Sequence, residues 1–138
     1  MSLAEIDGQK YNPNAEKFAD VIKNRVFLRQ NGKSVITNRP FTEYHHRRGN
    51  KIPRCNSVDN CVGVDVVAHA LIHFWQWEVS GIEDEWNAYL GQSQYFDDEQ
   101  RKLFNKLKND DGKSKPWKEG FVDEVEIMVR GRPNVHYI

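Results

Sequence analysis

The sequence predicts a single α+β domain. A short strand, a loop, a second short strand and a helix follow one another across residues 41–80, with an N-terminal helix and hairpin before them and further helices and a strand after. Three observations predict this. The chain has 138 residues, a common length for one domain. The runs Phe41–His46 and Cys61–Val64 are short, apolar or β-branched, and bounded by turn formers, as strands are. After Asp65 come longer segments with start and stop signals at their ends, as helices carry.

Taken in order, residues 1–13 read as a loose start, because Asp7-Gly8 and Pro13 interrupt any periodicity. Asn14 is placed to cap a short helix to about Asn24, with Phe18, Val21 and Ile22 on one side. Val26–Gln30 and Lys33–Thr37 flank Asn31-Gly32, a hairpin signal because both turn residues tolerate positive φ. Phe41–His46 is a strand, Arg47–Asp59 a loop and Cys61–Val64 a strand. Asp65 then caps a helix to about Ser80, with Gly81 as its stop. A second helix spans Glu83 to Leu90, with acids at the end where the helix dipole favours them. A third runs from about Asp97 to Lys108, turning Leu103, Phe104 and Leu107 inward. Asn109–Lys115 reads as a polar turn. Val122–Val129 alternates in a period of two and reads as a strand.

Composition narrows the function classes. The apolar fraction is 38% and the mean hydropathy is -0.78. No apolar run approaches the ~18–20 residues of a membrane span, and no signal peptide opens the chain. An intracellular, cytoplasmic protein is expected. Cys55 and Cys61 do not form a C-x-x-C pair and have no second pair to join, so thiols in a reducing compartment are expected before a disulfide or a metal ligand.

The net charge of +0 conceals an asymmetry. Lys23 to Arg54 holds nine Lys and Arg against the single acid Glu43, whereas Ile82 to Glu99 holds six acids and no base. The basic stretch suits a polyphosphate partner, since phosphate neutralisation dominates nucleic-acid affinity. The acidic stretch reads as a solvated face.

The histidines carry the chemistry. Four of the five lie between positions 45 and 73: His45-His46, then His69 and His73. The last two are four residues apart, so on a helix they share a face. Neighbours on a strand point to opposite faces, so one of His45 and His46 can face a metal and the other a substrate. Three imidazoles leave coordination positions open for water or phosphate, as in catalytic metal sites. A histidine outside the metal, with an ordinary pKa near ~6.5, is suited to taking a proton from water. His136 reads as a surface or packing residue, and Trp75, Trp77 and Trp86 read as core.

The stretch His45-His46, Asn60, His69-x-x-x-His73 resembles the HNH (ββα-metal, His-Me finger) nucleases, and among them the colicin-type DNases and the phage and homing endonucleases. Asn60 stands fourteen residues after His46 and nine before His69, the offsets of that subfamily. Glu43 and Pro53 also resemble phage members. The likeness covers residues 41–80. It implies a ββα-metal core, with His45, His69 and His73 as metal ligands and His46 as the general base. It gives Asn60 the task of orienting the His46 ring, and it places phosphate contacts among Arg47, Arg48, Lys51 and Arg54. It further implies one divalent metal ion (Zn, Mg, Mn or Ni) and hydrolysis of double-stranded DNA, with no membrane partner. A homodimer would cut both strands, since one site cuts one strand. Alternatives on the same residues are a ribonuclease or toxin with this core, and a zinc-stabilised nucleic-acid-binding or inhibitor protein without catalysis. Two positions depart from the pattern: Arg54-Cys55-Asn56-Ser57 replaces a Gly-Gly, and Ala68 replaces an acid before the first helical histidine.

Overall fold

The computed structural model describes residues 3–13, 17–47 and 58–129, with side chains described to 121. It is a mixed α+β structure with five helices and two small antiparallel hairpins among those residues. The chain divides into two compact units, Met1–Asp65 and Val66–Ile138.

The first unit opens with a hairpin, β1 (Ala4–Ile6) against β2 (Gln9–Tyr11). Asp7 and Gly8 form its two-residue turn with φ of 51° and 77°, the double positive φ that fits strand twist. The expected loose start is thus a hairpin. Asp-Gly was its signal, and the flanking strands, three residues each, are too short to show a period.

Helix α1 runs Asp20–Arg29, about five residues later than the helix expected to end near Asn24; Asn14 lies outside the described residues. Phe18, Val21, Ile22 and Val26 recur at helical spacing and are all buried, closing with Cys61 into one apolar cluster. That burial draws Val26–Arg29 into the helix, so the expected hairpin around Asn31-Gly32 does not form. Asn31 and Gly32 do take positive φ, 54° and 68°. They use it to end α1: Gly32 N–H donates to Phe27 O at 2.9 Å and Gln30 N–H to Val26 O at 3.0 Å, a left-handed helix stop.

Strands β3 (Glu43–His46) and β4 (Cys61–Val64) pair antiparallel, with His45 opposite Val62 and His46 opposite Cys61. The far edge of β4 is covered. The Gln30 side chain accepts from Gly63 N–H at 2.9 Å and donates to Gly63 O at 3.0 Å, and Arg29 donates to Cys61 O at 2.6 Å. The last residue of α1 and the residue that caps it thereby satisfy backbone groups that an edge strand would leave open.

In the second unit, α2 (Val66–Ser80) is packed by α3 (Glu83–Ser93), α4 (Asp98–Leu107) and α5 (Asp111–Val129). Gly81 ends α2 with φ 68°, as its sequence position implied. Asp97 caps α4 through a capping box, accepting from Gln100 N–H at 2.7 Å while the Gln100 side chain accepts from Asp97 N–H at 2.9 Å. Trp75 is fully buried and its indole donates to Lys108 O at 3.0 Å. Trp77 and Trp86 pair at 4.5 Å, and Phe74, Tyr89 and Phe104 continue the aromatic packing.

The C-terminal expectations are corrected. Asn109–Lys115 is not a turn but mostly the start of α5, whose Asp110 carboxylate accepts from Lys113 N–H at 3.2 Å. Val122–Val129 is helix, not strand. Val122, Val125 and Val129 recur at three and four residues as readily as the run alternates, and a helix already started upstream propagates at little cost. Among the described residues no helix is long and apolar enough to cross a membrane.

Candidate metal centre

Strand β3 sets the two neighbouring histidines apart. Alternation places Glu43 and His45 on one face and Tyr44 and His46 on the other. His45 is buried, at 7% exposure. His46 lays its ring on Phe18, with centroids 3.9 Å apart and planes 18° from parallel. The ring nitrogens lie in the imidazole plane, so a stack on one face holds the ring without covering its polar edge.

Helix α2 supplies the other two. His69 and His73 are one turn apart, with ring centroids at 4.9 Å, as the spacing implied. Among the described residues, His45, His69 and His73 form a group whose potential ligand atoms all lie within 4.8 Å of one another. His45 Nε2 and His69 Nδ1 are shielded from solvent. Three imidazoles at that separation match the donor set of a borderline transition ion, and the triad could hold a metal ion.

One contact of this group was not read from the sequence. His73 Nδ1 lies 2.8 Å from Glu85 Oε1. Glu83, Asp84 and Glu85 all read as acids of a helix N-terminus; Glu83 and Asp84 are exposed, but Glu85 is buried. The available signal was spacing: Glu85 is the third residue of α3, one turn ahead of Ala88 and Tyr89, on a face that packs inward.

Asn60 is buried, at 3% exposure, in a 3-10 turn (Val58–Asn60) that leads into β4. Its carbonyl accepts from Arg47 N–H at 3.0 Å, which fixes it beside the His46 end of β3. Arg47 also directs its guanidinium to Asp59 O at 3.5 Å. Arg48, Lys51 and Arg54 lie outside the described residues, as do Pro53 and Cys55.

Several cations of the basic stretch have structural uses. Arg25 pairs with Asp7 at 2.7 Å, and Lys23 sits over the Tyr44 ring at 5.6 Å. Arg29 donates to the Val58 and Cys61 carbonyls. Asp65, placed just before α2, accepts the Ser34 and Thr37 hydroxyls at 2.9 and 2.8 Å. Arg39 approaches that carboxylate at 3.9 Å.

Cys61 stands opposite His46 but belongs to the core cluster. Burial pushes its thiol up to about 12, against the opposing pull of Arg29 and Lys23, so it is neither a ready ligand nor a nucleophile near neutrality. Burial raises Tyr44 as well, with Cys61 adding to the shift.

No protein-family model, curated protein or solved structure matches this chain.

Proposed function

We propose that this chain is a metal-dependent endonuclease of the HNH type, hydrolysing phosphodiester bonds of DNA. The observation that carries the reading is the division among four histidines. Three have ligand atoms within 4.8 Å of one another, while the fourth, His46, is held on the opposite face of β3 by Phe18. The order β3, β4, α2 and the offsets from His46 to Asn60 to His69 support the same reading.

In this reading His45, His69 and His73 hold one divalent ion. Three neutral imidazoles favour Zn, Ni or Mn over Mg. When bound, such an ion polarises a phosphate and stabilises the leaving oxygen. The residues of the chain do the rest. His46 takes a proton from the attacking water at an in-plane nitrogen. The Phe18 stack restricts rotation of that ring, and Asn60, buried at the same end of the hairpin, braces it. Arg47 and the cations of the following segment grip phosphate, where a guanidinium can bind two oxygens at once.

A second reading draws on burial. His45 is nearly inaccessible, as a closed structural ion would require, which suits a metal-stabilised binding protein without catalysis.

Supercoiled plasmid separates the two. The protein, loaded in turn with Zn, Ni, Mn and Mg, is expected to nick plasmid, and EDTA to stop it. His46→Ala is expected to retain metal and lose cutting. Cutting by His46→Ala at the parental rate, or undiminished cutting in EDTA, would refute the assignment. A protein that binds metal and cuts neither DNA nor RNA is the structural form.

A further inference from the structure

The first turn of α3 contains a carboxylate that a solvated helix end does not need. Glu83 and Asp84 already supply exposed negative charge there. Glu85 instead turns inward, and its side chain is 12% exposed against 14% for its partner His73. Burying a carboxylate is costly unless something answers its charge. One imidazole N–H answers it in part; a divalent ion held by the same ring would add to that answer.

The hydrogen bond also selects between the two ring nitrogens. A carboxylate only accepts, so Nδ1 of His73 must carry the proton and donate. Nε2 is then the nitrogen that carries the in-plane lone pair, and the 2.8 Å contact fixes the ring rotation. Three neutral imidazoles around a dication leave two positive charges in a buried place, and Glu85 removes one of them.

We infer that Glu85 is a positioning residue for the metal centre. From α3, outside the stretch that resembles the nuclease motif, it holds His73 in the Nδ1–H form and supplies compensating charge. Such carboxylate–histidine–metal arrangements typically govern metal affinity by ~10–100-fold. The inference rests on the triad holding an ion, not on DNA being the substrate.

The test uses the full chain and zinc alone. Zinc affinity is measured by competition with a chromophoric chelator for the parent, Glu85→Ala and Glu85→Gln, with thermal melts in EDTA to confirm that each variant folds. Glu85→Ala is expected to weaken zinc by ~10–100-fold. Glu85→Gln can still accept from Nδ1–H but lacks the charge, so it should fall between. Long-range proton–nitrogen spectra of the zinc-free proteins should show His73 as the Nδ1–H tautomer in the parent and a shift toward Nε2–H in Glu85→Ala. A purely structural role would lower the melting temperature without moving the tautomer. Unchanged zinc affinity in a folded Glu85→Ala, or Nε2–H already in the parent, would overturn the inference. A parent that binds no zinc would overturn it together with the metal reading. Failure to cut DNA while zinc binding follows this order would remove only the nuclease reading.

Discussion

Gly63 is the position at which one methyl group should do most harm to the hairpin that carries His45. It lies in β4 opposite Tyr44, and a Cβ built there falls among Cε2, Cζ and Cδ2 of Phe41. Phe41 has little room to withdraw. It is 5% exposed, it packs on Phe27 and Tyr44 at centroid distances of 5.7 and 5.5 Å, and its N–H donates to Gly32 O at 3.3 Å. Overpacking of this kind costs ~1–3 kcal/mol. Removing a glycine from a strand returns ~0.5–1 kcal/mol of backbone entropy. For Gly63→Ala the net is a loss of about 1 kcal/mol, roughly 5-fold in the folding equilibrium and about 3–4 °C in Tm for a chain of this size.

Gly91, inside α3, has nothing within 4 Å of its built Cβ, so Gly91→Ala should stabilise by ~0.5–1 kcal/mol. Guanidinium denaturation followed by circular dichroism reads both. Phe41→Leu, combined with Gly63→Ala, should recover part of the loss, because a smaller side chain leaves space for the methyl. If Gly63→Ala proved as stable as the parent, or if its cost were the same with Phe41→Leu as without, the steric account would be wrong.

Two further perturbations have signs fixed by the structure. Asp97→Ala removes the side-chain cap of α4 and leaves only the backbone N–H bond to the Gln100 side chain, and should cost ~1 kcal/mol of stability read from the denaturation midpoint; a change within error would mean that water replaces the cap. Cys61 holds its proton up to about pH 12 when folded, against an ordinary value of 9.0, so above pH 9 the unfolded chain releases a proton that the folded chain keeps. Stability is therefore full below pH 9 and falls as pH rises toward 12, by at most ~1.4 kcal/mol per unit from this group. Denaturation midpoints from pH 8 to 11 should fall less steeply in Cys61→Ala; parallel slopes would exclude the thiol as their source.

Much of the architecture around the centre was legible because it is local. The strands Glu43–His46 and Cys61–Val64, the helix from Val66 to Ser80, the stop at Gly81 and the helix beginning near Asp97 each depend on residues within a turn or a strand of one another. The same locality set His69 and His73 on one face, since helical pitch alone decides it. Where two local solutions had similar cost, tertiary burial chose. Asn31-Gly32 offers two positive-φ residues that suit a hairpin or a helix stop equally, and the burial of Val26 with Phe18, Val21 and Ile22 made it a stop. Val122–Val129 fits two periods, and continuity with the helix begun at Asp111 settled it.

The sequence by itself determined that four histidines and an asparagine stand at spacings fit for a metal and a base, because spacing is a property of the letters. Only the tertiary structure decided what touches those rings. Phe18 against His46 and Glu85 against His73 are contacts between separate segments, and the spacing that sets Glu85 on the inward face of α3 does not say which group it meets there. The physical reason is that helix and strand geometry is repaid residue by residue along the backbone, whereas the partner of a buried side chain depends on how separately formed elements pack.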